Sequence, residues 1–140
     1  MRLSITRRTD YAVRAALELA RSGALATHQT VAAATGAPAS VVKQALSDLA
    51  RAGFAVAVRG RSGGYRLARD PASITMLDLI TALERLGDDE PRCVLHSGVC
   101  NARSPCPFHD TIAAARAAFA EALGRDTLAD VMARAPRRSG

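Results

Sequence analysis

Residues 27–67 read THQTVAAATGAPASVVKQALSDLARAGFAVAVRGRSGGYRL, and the architecture turns on them. Thr27 is a good N-cap for a short helix through Val31-Ala32-Ala33-Ala34, which Gly36 stops. Pro38 opens a second helix, whose apolar positions Val41, Val42, Ala45, Leu46 and Leu49 recur at helical spacing until Gly53. The tight Thr35-Gly36-Ala37-Pro38 segment between them makes the pair a helix-turn-helix. Beyond Gly53 the periodicity changes. Phe54-Ala55-Val56-Ala57-Val58 carries strand formers, Arg59-Gly60-Arg61-Ser62-Gly63-Gly64 reads as a turn, and Tyr65-Arg66-Leu67 as the returning strand.

A helix-turn-helix followed by a β-hairpin is a winged helix, a shape suited to duplex DNA. Its second helix enters the major groove with its N-terminal residues near base edges, while arginines and backbone amides hold phosphates. Off the apolar stripe stand Ser40, Lys43, Gln44, Ser47 and Arg51, a donor-rich set. Gln44 can pair bidentately with adenine, and Lys43 can reach guanine or a phosphate. Arg59, Arg61 and Arg66 give the hairpin a positive edge, and Gly63 and Gly64 allow close approach or positive φ. The plainer alternative is a small helical pair with a solvated hairpin.

Working outward, residues 10–22 form a helix with Tyr11, Val13, Ala16, Leu17 and Ala20 at helical spacing, Thr6 or Thr9 as its cap, and Gly23 at its end. After the hairpin, a helix runs from Ser73 or Thr75 through Met76, Leu79, Ile80, Leu83 and Leu86 to Gly87. Residues 87–110 break the rhythm with Pro91, Pro105, Pro107 and every cysteine of the chain; so long a loop in a small domain is functional or disordered. From Thr111 a helix resumes, with Ile112, Ala115, Phe119 and Leu123 near one face, and ends at Gly124. Thr127 caps a last helix through Val131 and Met132. The expected fold is mainly α with a small β-hairpin. A winged helix-turn-helix domain spans 1–72, a connecting helix, cysteine loop and dimerisation helices span 73–133, and 134–140 form a basic, disordered tail.

The 140 residues suit one ordinary domain. Nineteen Lys+Arg against thirteen Asp+Glu leave a net charge of +6, which favours a polyanion such as nucleic acid. No run approaches the ~18 apolar residues of a membrane span, and Met1-Arg2-Leu3-Ser4 lacks the apolar core of a secretory signal. The expectation is a cytoplasmic protein that does not bind membranes. There is no nucleotide-cradling glycine loop, serine-nucleophile elbow or paired-carboxylate site, so no enzyme is expected.

The cysteines read Cys93-x6-Cys100-x5-Cys106, with His96 between the first two and His109 three residues past the last. Cytosolic thiols stay reduced unless they hold metal or respond to redox state. Thiolates are soft ligands suited to iron–sulfur clusters, zinc or copper(I). Common clusters and structural zinc take four protein ligands, so three cysteines leave one position to fill. The spacing is wider than the CxxC knuckles of zinc ribbons, which weighs against zinc. Cys106-Pro107 has the Cys-Pro ending of many cluster motifs. His109 stands at workable ligand spacing, whereas His96 reads as a loop residue and His28 as a helix surface residue. Asp10, beside Arg7 and Arg8, reads by itself as a carboxylate on the macrodipole of the first helix. Against three unrelated thiols in a loose loop stands their crowding between positions 93 and 106.

Taken together, Met1-Arg2-Leu3, Thr9-Asp10-Tyr11-Ala12-Val13-Arg14-Ala15, the hairpin from Val58 to Leu67, the clustered cysteines and Thr127-Leu128-Ala129-Asp130-Val131 resemble the IscR/NsrR/RirA family of iron-sulfur winged-helix transcription regulators over almost the full chain. The resemblance implies a homodimer joined through the long helix after the cysteines, and a palindromic double-stranded DNA operator read by two recognition helices and two wings. It also implies an iron-sulfur cluster that sets DNA affinity. For the fourth ligand it offers two answers. Thr9-Asp10-Tyr11 is similar to the NsrR type, in which an aspartate of the other subunit completes a 4Fe-4S cluster. Cys106-x2-His109 is similar to the IscR type, in which the histidine completes a 2Fe-2S cluster. Asp10 is preferred for its matched context, with His109 as the alternative.

The leading expectation is a dimeric DNA-binding repressor that senses nitric oxide, redox or iron status through Cys93, Cys100, Cys106 and either Asp10 or His109. A second reading keeps the DNA-binding body and makes the cysteines a metal-free thiol switch. A third, from another class, is a small iron-sulfur redox protein with an incidental basic surface.

Overall fold

The computed structural model describes residues 5–84, 93, 95–100 and 103–135. Thr6 begins the first helix: its hydroxyl accepts the backbone N–H of Thr9, and α1 runs Arg7–Ser22 to a left-handed Gly23. The helix thus starts three residues before the boundary expected at Asp10. Of the face expected from its apolar spacing only Ala16 is fully buried. Thr9, Ala12, Ala15, Ala16 and Leu19 are buried, while Tyr11, Val13, Leu17 and Ala20 flank them. Alanines let α1 lie close to its neighbours, and it packs on the other helices of the N-terminal body and on the last helix of the chain.

The helix-turn-helix forms as the caps require. Thr27 accepts the N–H of Thr30 at the start of α2 (His28–Thr35), Gly36 ends it in the left-handed region, and α3 (Ala39–Arg51) follows Pro38. Val42, Ala45, Leu46 and Leu49 face inward from α3. The strands β1 (Ala55–Val58) and β2 (Gly64–Leu67) pair antiparallel, with Ala55 opposite Leu67 and Val58 opposite Gly64. A 3₁₀ turn at Pro71–Ser73 leads to α4 (Met76–Glu84). Of the two starts expected for α4, Thr75 supplies the cap, accepting from the N–H of Asp78 at 3.0 Å while Asp78 accepts from that of Thr75. Leu86 and Gly87, expected to close it, lie outside the described residues.

The C-terminal helices are α5 (His109–Arg125) and α6 (Leu128–Arg134). Three sequence boundaries change here. The fifth helix starts at His109 rather than Thr111. It runs through Gly124, whose missing side chain leaves an open position beside Leu77. Arg134, assigned to the tail, is the last residue of α6; residues 136–140 lie outside the described residues, as do Met1-Arg2-Leu3. A reciprocal capping box between Thr127 and Asp130 starts α6. Met76 N–H donates to Asp126 O and Leu128 N–H to Ile74 O, each at 2.8 Å, so the end of the chain is sewn to the segment before α4. Leu128 joins Leu19, Leu46, Leu49, Ile74, Leu79 and Ile80 in one core.

The hairpin is fastened to the body by its glycines. Tyr65 and Ala26 exchange two backbone hydrogen bonds of 2.8 Å, which seats β2 on the loop between α1 and α2. A Cβ on Gly64 would meet Ala26 O at 2.6 Å, and one on Gly63 would meet Val58 O at 2.2 Å. Both neighbours are backbone, which cannot yield without breaking the pairing. Gly64→Ala is therefore expected to cost about 1–3 kcal/mol, read as a lower urea midpoint. An unchanged midpoint would show that the wing separates from the α1–α2 loop without cost.

Candidate metal centre and nucleic-acid interface

The chain brings its three cysteines together. The sulfurs of Cys93, Cys100 and Cys106 all lie within 4.8 Å of one another, and all three thiols are free. Cys93 and Cys106 are half-buried and Cys100 is buried. The backbone turns the segment inward: Cys93 N–H donates to Gly98 O, and His109 N–H donates to Cys106 O, each at 3.0 Å. Because His109 is the first residue of α5, the helix start places its Nδ1 at 3.0 Å from Cys100 Sγ. His96 is exposed and its Nδ1 accepts from the N–H of Gly98, a loop role. Three thiolates on one tetrahedral ion stand ~3.8 Å apart, so the observed group is close enough to share a metal centre after small side-chain shifts. The three sulfurs fit a soft metal, and the His109 imidazole stands against one of them, Cys100.

The thiols are not equivalent. Burial pushes Cys93 up, but the N–H groups of Leu95 and His96 and the Cys106 and Cys100 thiols outweigh it, so its pKa falls below the ordinary thiol value. At Cys106 burial and the thiols of Cys93 and Cys100 act together and raise it, against the N–H of Phe108. Cys93 is thus the readier thiolate, the form that binds metal or attacks an oxidant.

Asp10 lies in the first turn of α1, where its carboxylate holds Arg14, one turn on, at 2.9 Å. Among the described residues the metal-capable group is made of the three cysteines alone, so within one chain Asp10 is not brought to them. A contribution from Asp10 would cross from a second subunit, as the resemblance to the NsrR type implies.

The helix α3 presents Ser40, Lys43 and Gln44 to solvent, with Ser47 half-buried. Arg59, Arg61 and Arg66 are exposed along the hairpin, and Gly63 and Gly64 are half-buried beneath it. The residue that sequence reasoning missed is Asp48. Its side chain is only 9% exposed, yet it is a carboxylate in the apolar register of α3, one residue before Leu49. A charge in that register calls for partners, and that was the available signal. Arg8 of α1 supplies two of them, Nε to Oδ2 and the terminal nitrogen to Oδ1, both at 2.7 Å. Arg51 and Gln44 also donate to Oδ1, at 3.2 and 3.1 Å.

Those bonds, the Arg8 hydrogen bond first, hold the Asp48 carboxyl below the usual carboxylate range despite its burial. A lowered folded pKa stabilises the fold fully above the unfolded value of about 3.9, and that stability is lost as pH falls through the folded value. Asp48→Asn should therefore be less stable than the parent at pH 7, with the gap closing below about pH 4. Urea unfolding at several pH values checks this, and a pH-independent gap would assign the loss to packing alone.

Residues 5–134 match the Rrf2 family, described as iron-dependent transcriptional regulators. The chain belongs to the Rrf2 family. The motif resemblance is borne out at that level, and this Rrf2-family chain is a DNA-binding transcriptional regulator, not an enzyme. An rrf2-like HTH-type transcriptional regulator of Rhodobacter capsulatus is 34% identical over 124 residues, covering 84% of this chain and 79% of that protein. Among solved structures, CymR, the global cysteine regulator of B. subtilis, superposes with a TM-score of 0.76 at 28% identity, over 96% of this chain and all of that one. T. potens IscR follows with a TM-score of 0.74 at 25% identity, covering 99% and 92%. The expected fold, a winged helix-turn-helix with a small hairpin and a helical C-terminal part, is the fold these regulators share. Among the described residues no helix is long and apolar enough to cross a membrane.

Proposed function

We propose that this Rrf2-family chain is a homodimeric repressor whose affinity for a palindromic operator is set by an iron-sulfur cluster on Cys93, Cys100 and Cys106. The fourth ligand is His109 or the partner's Asp10. The observation that carries this reading is the convergence of three free thiols, from a segment otherwise rich in proline, to within 4.8 Å. The family's description as iron-dependent and the likeness to T. potens IscR support it. When bound, a cluster supplies a redox couple and iron sites open to oxygen or nitric oxide, and so a sensor of nitric oxide, redox or iron status.

The chain's own residues provide the rest. None of the 17 residues of α5 is buried, although Ile112, Ala115, Phe119 and Leu123 lie half-covered along it. A helix of that kind finds its missing contacts in a second copy. Leu95, Val99 and Phe108 around the cysteines are exposed apolar residues as well, which supports a sensing segment beside that interface. In this division residues 1–72 read DNA through Ser40, Lys43, Gln44 and Ser47 and through Arg59, Arg61, Gly63 and Gly64 of the wing. Residues 73–133 sense and dimerise. The regulator works in the cytoplasm, where its DNA is.

The test is purification without oxygen, followed by a visible spectrum and iron and acid-labile sulfide per monomer. About four of each supports the site completed by Asp10, and about two of each with structured bands supports the site completed by His109. Colourless, metal-free protein would overturn the cluster reading.

One observation favours a second reading. Cys100 Sγ and Cys106 Sγ stand 3.6 Å apart as free thiols, so a peroxide could take two electrons and two protons from them and close a disulfide. Mass spectrometry after mild oxidation separates the two readings: a disulfide lightens the chain by two hydrogens, and a cluster leaves iron and sulfide.

A further inference from the structure

The buried carboxylate in the recognition helix has a consequence for sequence reading that rests on the assignment of Gln44 to base contact. Gln44 is exposed on α3, and its Nε2 donates to Asp48 Oδ1 at 3.1 Å. An ionised carboxylate only accepts hydrogen bonds, so it admits one orientation of the glutamine amide and excludes the flipped one. Asp48 is itself immobilised, gripped at both oxygens by Arg8 and at Oδ1 by Arg51. The amide of Gln44 is left with one N–H and its carbonyl oxygen unused. Those are the two groups that pair with N7 and the N6 amino group of adenine in the major groove.

We propose that Asp48 is a positioning residue for base recognition: it sets the orientation of the Gln44 amide so that α3 presents an ordered donor–acceptor pair to an adenine. Arg8 and Arg51 hold the carboxylate in place. Each is 63% exposed and keeps N–H groups free of Asp48, so the same carboxylate spaces two cations beside the base-reading group.

The test uses full-length protein in its as-isolated state and a duplex selected by it from a random pool. Affinity is measured for that duplex and for versions with each base pair of a half-site replaced. Gln44→Ala is expected to lose discrimination at one A·T pair, where the parent discriminates by roughly 5- to 150-fold. Asp48→Asn keeps the size of the side chain but adds a donor, so both orientations of the Gln44 amide become possible. It is expected to lose discrimination at the same pair, by about fivefold or more, with discrimination at the other pairs unchanged. The double variant should then be no worse there than Gln44→Ala.

If Gln44→Ala changes all positions evenly, Gln44 does not read a base, and the proposal falls with that assignment. If Gln44→Ala is position-specific while Asp48→Asn discriminates like the parent, the positioning role alone is overturned. An even loss across positions in Asp48→Asn would likewise overturn it, because a purely structural role weakens every duplex equally. Should Asp48→Asn fold poorly, Asp48→Ala carries the same comparison, since it removes the acceptor and leaves only exposed partners behind.

Discussion

Cys100→Ala is expected to yield a folded but colourless protein, with iron and sulfide near zero and no response of DNA binding to nitric oxide or oxygen. Cys100 is the pivot of the group: it is the buried member, and its sulfur lies 3.0 Å from His109 Nδ1 and 3.6 Å from Cys106 Sγ. Losing it leaves two thiols and the fourth ligand, too few for a four-ligand site. The fold survives because the core of α1, α3, α4 and α6 is built without any cysteine. Metal analysis beside far-UV circular dichroism checks both halves. A full complement of iron in the variant would remove Cys100 from the ligand set.

The second large effect belongs to the wing. Arg59 and Arg61 are exposed at the hairpin tip, flanking Gly60, and among the described residues neither is in an ion pair. Replacing both by Ala removes two contacts to phosphate of roughly 1 kcal/mol or more each, a loss on the order of 10- to 100-fold in operator affinity. The slope of log K against log salt should become shallower by about 1.8, two phosphates at 0.9 each. Binding isotherms at two salt concentrations measure both quantities. A parallel slope with unchanged affinity would take the wing out of the interface.

The hairpin and both helices of the reading head were legible because their signals are local. Caps at Thr27 and Thr127, stops at Gly23 and Gly36, and the break in periodicity at Gly53 each act within one turn of chain. What misled is equally physical. The buried face of α1 is centred on Ala12, Ala15, Ala16 and Leu19, turned from the expected one, because close packing against α3 favours small side chains that carry a weak apolar signal in sequence. The start of α5 was placed at Thr111 because Pro105 and Pro107 suggest a continuing loop. The helix instead begins at His109, and that puts the imidazole on Cys100. The crowding of the cysteines in sequence foretold their meeting in space, but sequence leaves the choice between Asp10 and His109 open, since one candidate belongs to the same chain and the other to its partner. Asp48 was missed for a different reason. Its partner Arg8 lies 40 residues away, and only the anomaly of a carboxylate in an apolar register points to it.

Regulation through the metal centre requires that its presence change the grip on DNA. The most direct measurement is the affinity of one anaerobic preparation for its selected duplex, before and after gentle removal of the iron and sulfide, at fixed salt. A coupling of about 1–3 kcal/mol between the two sites gives a 5- to 150-fold difference between the isotherms, in either direction. Superimposable isotherms from a preparation shown to lose its iron would contradict control of DNA binding by the cysteine centre.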